Sequence, residues 1–126
     1  MPKPELKFSR DHLWVRVKDD TATIGISDYA QEELGEIVFA EIPEISDEID
    51  KGESFGEIES TKTVTELLAP ISGTVTEINR NLENNPALIN EDPYGSGWLI
   101  EIEPLDLEEL GDLMSPEEYD SYIEEK

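Results

Sequence analysis

Residues 53–68 read Glu-Ser-Phe-Gly-Glu-Ile-Glu-Ser-Thr-Lys-Thr-Val-Thr-Glu-Leu-Leu. Residues 53–60 have the character of a strand, with Phe55 and Ile58 available to a core, and residues 64–68 read as its return strand. Thr61, Lys62 and Thr63 then sit between them, at the tip of a hairpin. Lys62 is the only basic residue between Lys51 and Arg80, and Glu57, Glu59 and Glu66 surround it. At such a tip a side chain projects into water, where a modifying enzyme can grip it and a tethered group can swing, and the turn fixes its direction. Read alone, an exposed lysine is an ordinary surface residue. Exposed among carboxylates it is a poor free nucleophile, and it lacks the desolvation that Schiff-base lysines use.

Working outward, short strands dominate. Residues 13–18 alternate, with Leu13, Val15 and Val17 on one face. Asp19-Asp20 turns the chain into residues 21–26, completing a second hairpin. Ser27 or Asp28 can cap a short helix over Tyr29–Leu34, which Gly35 ends; residues 36–42 return to strand and stop at Pro43, and Asp50-Lys51-Gly52 is a turn. Beyond the central hairpin, Ala69–Gly73 turns the chain into residues 74–79, where Val75 and Ile78 both face the core only if the strand bulges between them. Asn84-Asn85-Pro86 and Glu91–Gly95 are turn chemistry, and residues 98–102 form the last strand. The tail is helical from about 106 to 125: Ser115, Pro116 and Glu118 are spaced as N-cap, N1 and N3 of a capping box, and Tyr119, Tyr122 and Ile123 share a face. With no linker or repeat, the 126 residues read as one mainly β domain, a small sandwich or barrel with a short helix near 27–34 and a C-terminal helix.

Composition narrows the function. Nine basic residues face 32 acidic ones, for a net charge of -23. That surface repels nucleic acid and anionic membranes and favours partners with basic docking patches, although solubility or an acid-biased host proteome accounts for the charge equally well. Without cysteine the chain cannot form a disulfide, a thiolate metal site or a Cys nucleophile, so any thiol chemistry must come on a prosthetic group. No segment looks like a signal peptide, an Arg-rich transit peptide or a membrane span, so the chain reads as cytoplasmic, or as a mature form without its targeting segment.

Glu59-Ser60-Thr61-Lys62, followed by Leu68-Ala69-Pro70-Ile71-Ser72-Gly73, resembles the lipoyl-lysine hairpin of the glycine cleavage H-protein family, where Glu-Ser-Val-Lys precedes a Pro-X-Ser-Gly turn. The resemblance extends along the chain through His12–Val15, residues 22–31, Leu34–Phe39, Ile42–Glu44, Asn85-Pro86, Leu88–Asn90, Asp92–Gly95 and Gly97-Trp98. It implies a barrel-sandwich hybrid of the lipoyl- and biotinyl-carrier type. It also implies that a lipoate-protein ligase or a lipoyl/octanoyl transferase attaches lipoate to Lys62. Glu59 and Ser60 would then serve ligase recognition or the shape of the hairpin, and Glu66 would sit near the base of the arm. The partners implied are the P, T and L proteins: the carrier takes an aminomethyl group from glycine decarboxylase (P), delivers it to the aminomethyltransferase (T) and presents a dithiol to dihydrolipoamide dehydrogenase (L). Such a protein is a shuttle and not an enzyme.

Two departures from that pattern stand out. Leu13 replaces a glutamate that in the family lies in the cleft receiving the loaded arm, and it cannot accept that residue's hydrogen bonds. After Lys62, Thr63-Val64-Thr65-Glu66-Leu67-Leu68 replaces the family's commoner Ala-X-Ser-Asp-Leu-Tyr, and Glu33 also stands where several members carry another polar residue. An H-like lipoyl carrier for sulfur oxidation or lipoate relay therefore stays open, as does an unmodified acidic interaction module. His12, the sole histidine, has no second imidazole with which to bind metal and reads as a structural or surface group. Trp14 and Trp98 read as core aromatics. No Asp-x-Asp-x-Asp-Gly loop supports a calcium site.

Overall fold

The computed structural model describes residues 6–18 and 20–124. Among the described residues, nine strands form two antiparallel sheets: β1 (Leu6–Phe8), β2 (Leu13–Lys18), β3 (Thr21–Ile26), β4 (Ile37–Glu41), β5 (Glu48–Ile49), β6 (Ser54–Ser60), β7 (Val64–Leu68), β8 (Gly73–Ile78) and β9 (Ile100–Pro104). The larger sheet has the order β1-β2-β3-β9-β8-β5, and the smaller β4-β6-β7. Between the strands lie α1 (Asp28–Leu34), α2 (Asn81–Asn84), α3 (Leu88–Glu91), a 3-10 turn at Leu107–Asp112, and α4 (Pro116–Glu124). Both sheets are open, and one apolar cluster joins them. Val15, Ile24, Ile100 and Ile102 from the larger sheet belong to the same buried group as Ile37, Ile58 and Leu67 from the smaller. This is the mainly β class expected from the pattern of short strands, in the barrel-sandwich arrangement that the family resemblance implied.

Local chemistry explains most boundaries. Ser27 caps α1, its hydroxyl accepting from the Ala30 N–H at 3.1 Å, and Gly35 ends the helix at φ 84°, a conformation that glycine alone adopts cheaply. The strand register shifts between Val75 and Glu77, which is the irregularity the spacing of Val75 and Ile78 requires. The capping box at α4 is complete: the Ser115 N–H donates to Glu118 Oε1 at 2.9 Å and the Glu118 N–H to Ser115 Oγ at 3.2 Å.

Several boundaries differ from the sequence reading. β1 and β5 were not expected, being three and two residues long, too short to show alternation; they exist because partners pair with them, as Phe8 does with Trp14. The turn signals at Asn84 and Glu91 close α2 and α3, four-residue helices that cannot display a helical period. The last strand starts at Ile100 and not at Trp98, although the Leu99 N–H already bonds the Ile24 carbonyl at 2.9 Å. The tail is not continuous helix: Leu113–Ser115 is extended between the 3-10 turn and α4, and Met114 bridges to Phe8 there. Of the Asp19-Asp20 turn, Asp20 is in a turn and Asp19 lies outside the described residues, as does the tail beyond Glu124.

A second, aromatic cluster fastens α4 to the larger sheet. Phe8, Trp14 and Tyr119 are its buried members, and half-buried Trp98 packs against it. Phe8 and Tyr119 stack with ring centroids 4.3 Å apart, and the Trp14 indole donates to the Pro93 carbonyl at 2.9 Å. Both tryptophans therefore serve packing. The Tyr119 hydroxyl lies 2.7 Å from Ser27 Oγ and 2.8 Å from His12 Nδ1, so one phenol links α4, the α1 cap and the loop before β2.

Burial pushes the Tyr119 hydroxyl up from 10.0 to about 12. Below pH ~10 both folded and unfolded chains keep this proton and the group has no pH-dependent effect; above it the unfolded chain loses the proton first. The stability difference is therefore fully present below pH ~10 and is lost towards pH ~12, to the extent of roughly 2–3 kcal/mol. Urea titrations across this range should show the decline in the parent and a shallower one in Tyr119→Phe; parallel slopes would refute the assignment.

Candidate functional site

The hairpin of β6 and β7 is tied at its tip by one hydroxyl. Ser60 is 6% exposed. Its Oγ accepts from the backbone N–H groups of Lys62 and Thr63, each at 3.1 Å, and donates to the Thr63 carbonyl at 3.3 Å; the Ser60 N–H also donates to that carbonyl at 2.8 Å. A serine side chain that satisfies the next two amides is a recognised turn device. It leaves Lys62 exposed, as the sequence reading expected, with its backbone N–H held by the serine.

A second tie runs from the tip to the segment between α1 and β4. The Thr61 N–H donates to the Glu36 carbonyl at 3.0 Å. The Lys62 side chain lies along Gly35, where a Cβ would come within 3.2 Å of Lys62 Cε. Asn90 on α3 secures that segment: its amide nitrogen donates to the Gly35 carbonyl at 2.8 Å and to Gln31 Oε1 at 3.0 Å, and its Oδ1 accepts from the Ile37 N–H at 2.9 Å. Sequence reasoning placed Gly35 only as a helix stop and gave Asn90 no role in the site. A polar residue so far along the chain leaves no local signal of this partnership.

Beside the hairpin runs an open groove of about 540 Å³. β7 is an edge strand, so its free side supplies one wall through Thr65, Glu66 and Leu68; α1 supplies Tyr29, Ala30, Glu33 and Leu34; the loop Arg10–His12 and Tyr122 close the rest. Carboxylates from two walls, Glu33 and Glu66, thus share one groove. His12 has φ 70° and packs against Tyr29 with ring centroids 5.0 Å apart. Leu13, read from the sequence as a cleft position, is 2% exposed, belongs to the main core and does not line this groove. Its direction follows from β2, where Leu13 and Val15 point to the core while Trp14 points to the aromatic cluster.

Of the residues singled out in the sequence, Lys62 and Ser60 meet at the tip. Glu66 lines the groove wall. Glu59 lies exposed on the outer face of the small sheet, directly opposite Phe39 and Val64. Among the described residues there is no cluster of three potential metal ligands, and no helix is long and apolar enough to cross a membrane.

A family model described as glycine cleavage H-protein matches residues 6–126. The chain belongs to that family. It is 52% identical over 121 residues to the glycine cleavage system H protein of Staphylococcus carnosus, covering 96% of each chain. It is also 52% identical over 121 residues to the protein of the same name from Geobacillus thermodenitrificans, covering 96% of this chain and 95% of that one. The crystal structure of a glycine cleavage system H protein from Mycobacterium marinum superposes with a TM-score of 0.89 at 36% identity, covering 98% of this chain and 99% of the other. The overall fold is thus shared with that protein over nearly the whole chain.

Ser60→Ala should leave the Lys62 and Thr63 amides without their acceptor. Hydrogen exchange at those two amides should accelerate well beyond the effect of the global destabilisation, which is roughly 1–2 kcal/mol. Unchanged protection at the tip would mean that the hydroxyl is not what holds it.

Proposed function

We propose that Lys62 carries lipoate in amide linkage and that the chain is the non-catalytic carrier of glycine cleavage. The observation behind this reading is the exposed amine on a tip tied by Ser60 and backed by Gly35, in a chain of the H-protein family. The residues present fit the group. An amide bond needs a lysine nitrogen that an acylating enzyme can reach, and the exposed Lys62 offers one with its backbone already fixed. In the transfer, Lys62 Nζ attacks an activated lipoyl carbonyl, the activating group leaves, and the amine gives up its proton. A lipoate-protein ligase or a lipoyl/octanoyl transferase supplies the activated acyl group.

When bound, the dithiolane supplies the sulfur chemistry that a cysteine-free chain lacks, accepting an aminomethyl group and passing through a dithiol. The protein's own contribution is attachment, direction and a bounded search volume, which keep the arm at high effective concentration in each docked complex. Ser60 and Gly35 set the direction, Glu59 stands where the ligase must approach, and Glu66 lies at the base of the arm. Glu33 and Glu66 give the groove carboxylates although Leu13 is turned into the core, and these suit an arm loaded with a cationic amine. That arrangement favours glycine cleavage over lipoyl carriage for another pathway. In this reading the protein moves among the P, T and L proteins, in the cytoplasm.

Incubation with lipoate, ATP and a ligase should add one lipoyl group to the parent and none to Lys62→Arg, as read by intact mass and peptide mapping. Attachment at any other lysine sinks the reading. The lipoylated protein mixed with P protein should support exchange of glycine's carboxyl carbon with bicarbonate, and an absence of exchange would assign the carrier to a different pathway.

A further inference from the structure

The small sheet has an outer face that the carrier chemistry leaves unexplained. Directly opposed residues in a sheet share a face, and Phe39, Glu59 and Val64 form one row across β4, β6 and β7, while Glu41, Glu57 and Glu66 form another. The row between them, Ala40, Ile58 and Thr65, turns inward, and Ile58 is fully buried. Phe39 and Val64 are each 55% exposed, and the neighbouring Val38 is 43% exposed. None of the three strands contains a lysine or arginine. Three carboxylates directly opposite one another destabilise a sheet, and here no basic residue on the same sheet relieves them. An exposed aromatic ring beside them adds a further surface that folding by itself does not explain.

We infer that this face docks the enzyme that acylates Lys62, against a surface carrying lysine or arginine side chains around an apolar notch. The inference rests on the proposed attachment at Lys62. Position supports it: Glu59 and Val64 immediately flank the Ser60–Thr63 tip, so an enzyme whose active site reaches the amine must pass close to this face. Charge selects the occupant. A second copy of a chain with net charge -23 would bring a matching set of carboxylates and be repelled. A basic surface would be steered in by the field, and Phe39 would fill its notch as an aromatic anchor.

The test uses the unlipoylated full chain, a purified lipoate-protein ligase, ATP and lipoate, with kcat/KM for acylation and the thermal midpoint measured together. Phe39→Ser should lower kcat/KM roughly tenfold, mainly through KM. The double variant E41Q/E57Q should lower it by about three- to tenfold at low salt, with the difference vanishing near ~0.5 M salt. Its thermal midpoint should rise, because the repulsion across the sheet is relieved. A loss of stability alone cannot produce slower acylation together with a higher midpoint. Wild-type kinetics for both variants at low salt would overturn the inference while leaving attachment at Lys62 standing. A wild-type self-association that Phe39→Ser abolishes would give the face to a second copy instead. If the parent takes up no lipoate at all, the attachment reading itself fails and the docking inference falls with it.

Discussion

The direction of one amine depends on backbone hydrogen bonds that tie a two-strand tip to a helix end. The Ser60 hydroxyl closes the turn from within, and the Glu36 carbonyl holds Thr61 from outside. Neither contact would fix Lys62 if the segment from Gly35 to Ile37 moved, and Asn90 stops it moving by bonding both ends. An isolated two-stranded hairpin is marginal in water. This one gains its rigidity from β4 alongside and from Ile58 and Leu67 beneath, which join the core shared with the larger sheet. A tether on such a tip starts from a fixed point, and its reach is then set by the arm alone.

The same design separates two kinds of surface. The inner side of the small sheet carries Ile37, Ile58 and Leu67 into a continuous core, while its outer side is acidic with exposed Phe39 and Val64. A chain with 37% hydrophobic residues has little apolar material to spare. Leaving a phenylalanine in water while opposing carboxylates across a sheet runs against stability on both counts. Proteins accept such local conflicts where function requires them. On the larger sheet, the aromatic cluster around Phe8, Trp14 and Tyr119 shows the opposite economy, with these three rings buried and the Tyr119 hydroxyl engaged by both Ser27 and His12.

Much of this architecture was legible in advance. Alternation exposed β2; turns and short apolar runs marked β3, β6 and β7 as hairpin strands; Ser27 and Gly35 bracketed α1; and Ser115 with Glu118 announced α4. The irregularity in β8 followed from the three-residue spacing of Val75 and Ile78. Elements of two to four residues were not legible, because neither a two-residue nor a 3.6-residue period can be read in so short a window. Their existence is decided by what they pair with. The extended break at Leu113–Ser115 belongs to the same class, since Met114 leaves the helical path to bond Phe8 in both directions.

By itself the sequence determined the strand-rich class, the hairpin with Lys62 at its tip, the acidic surface and the caps, because each depends on neighbours a few residues apart. Only the tertiary structure decided that Leu13 turns into the core while Glu33 and Glu66 line one groove. It also decided that Gly35 lies under the lysine, that Asn90 holds it there, and that Glu41, Glu57 and Glu66 stand in one row. Those facts depend on strand order and register, which bring together residues tens of positions apart, and no local pattern encodes which side of a strand will find which partner.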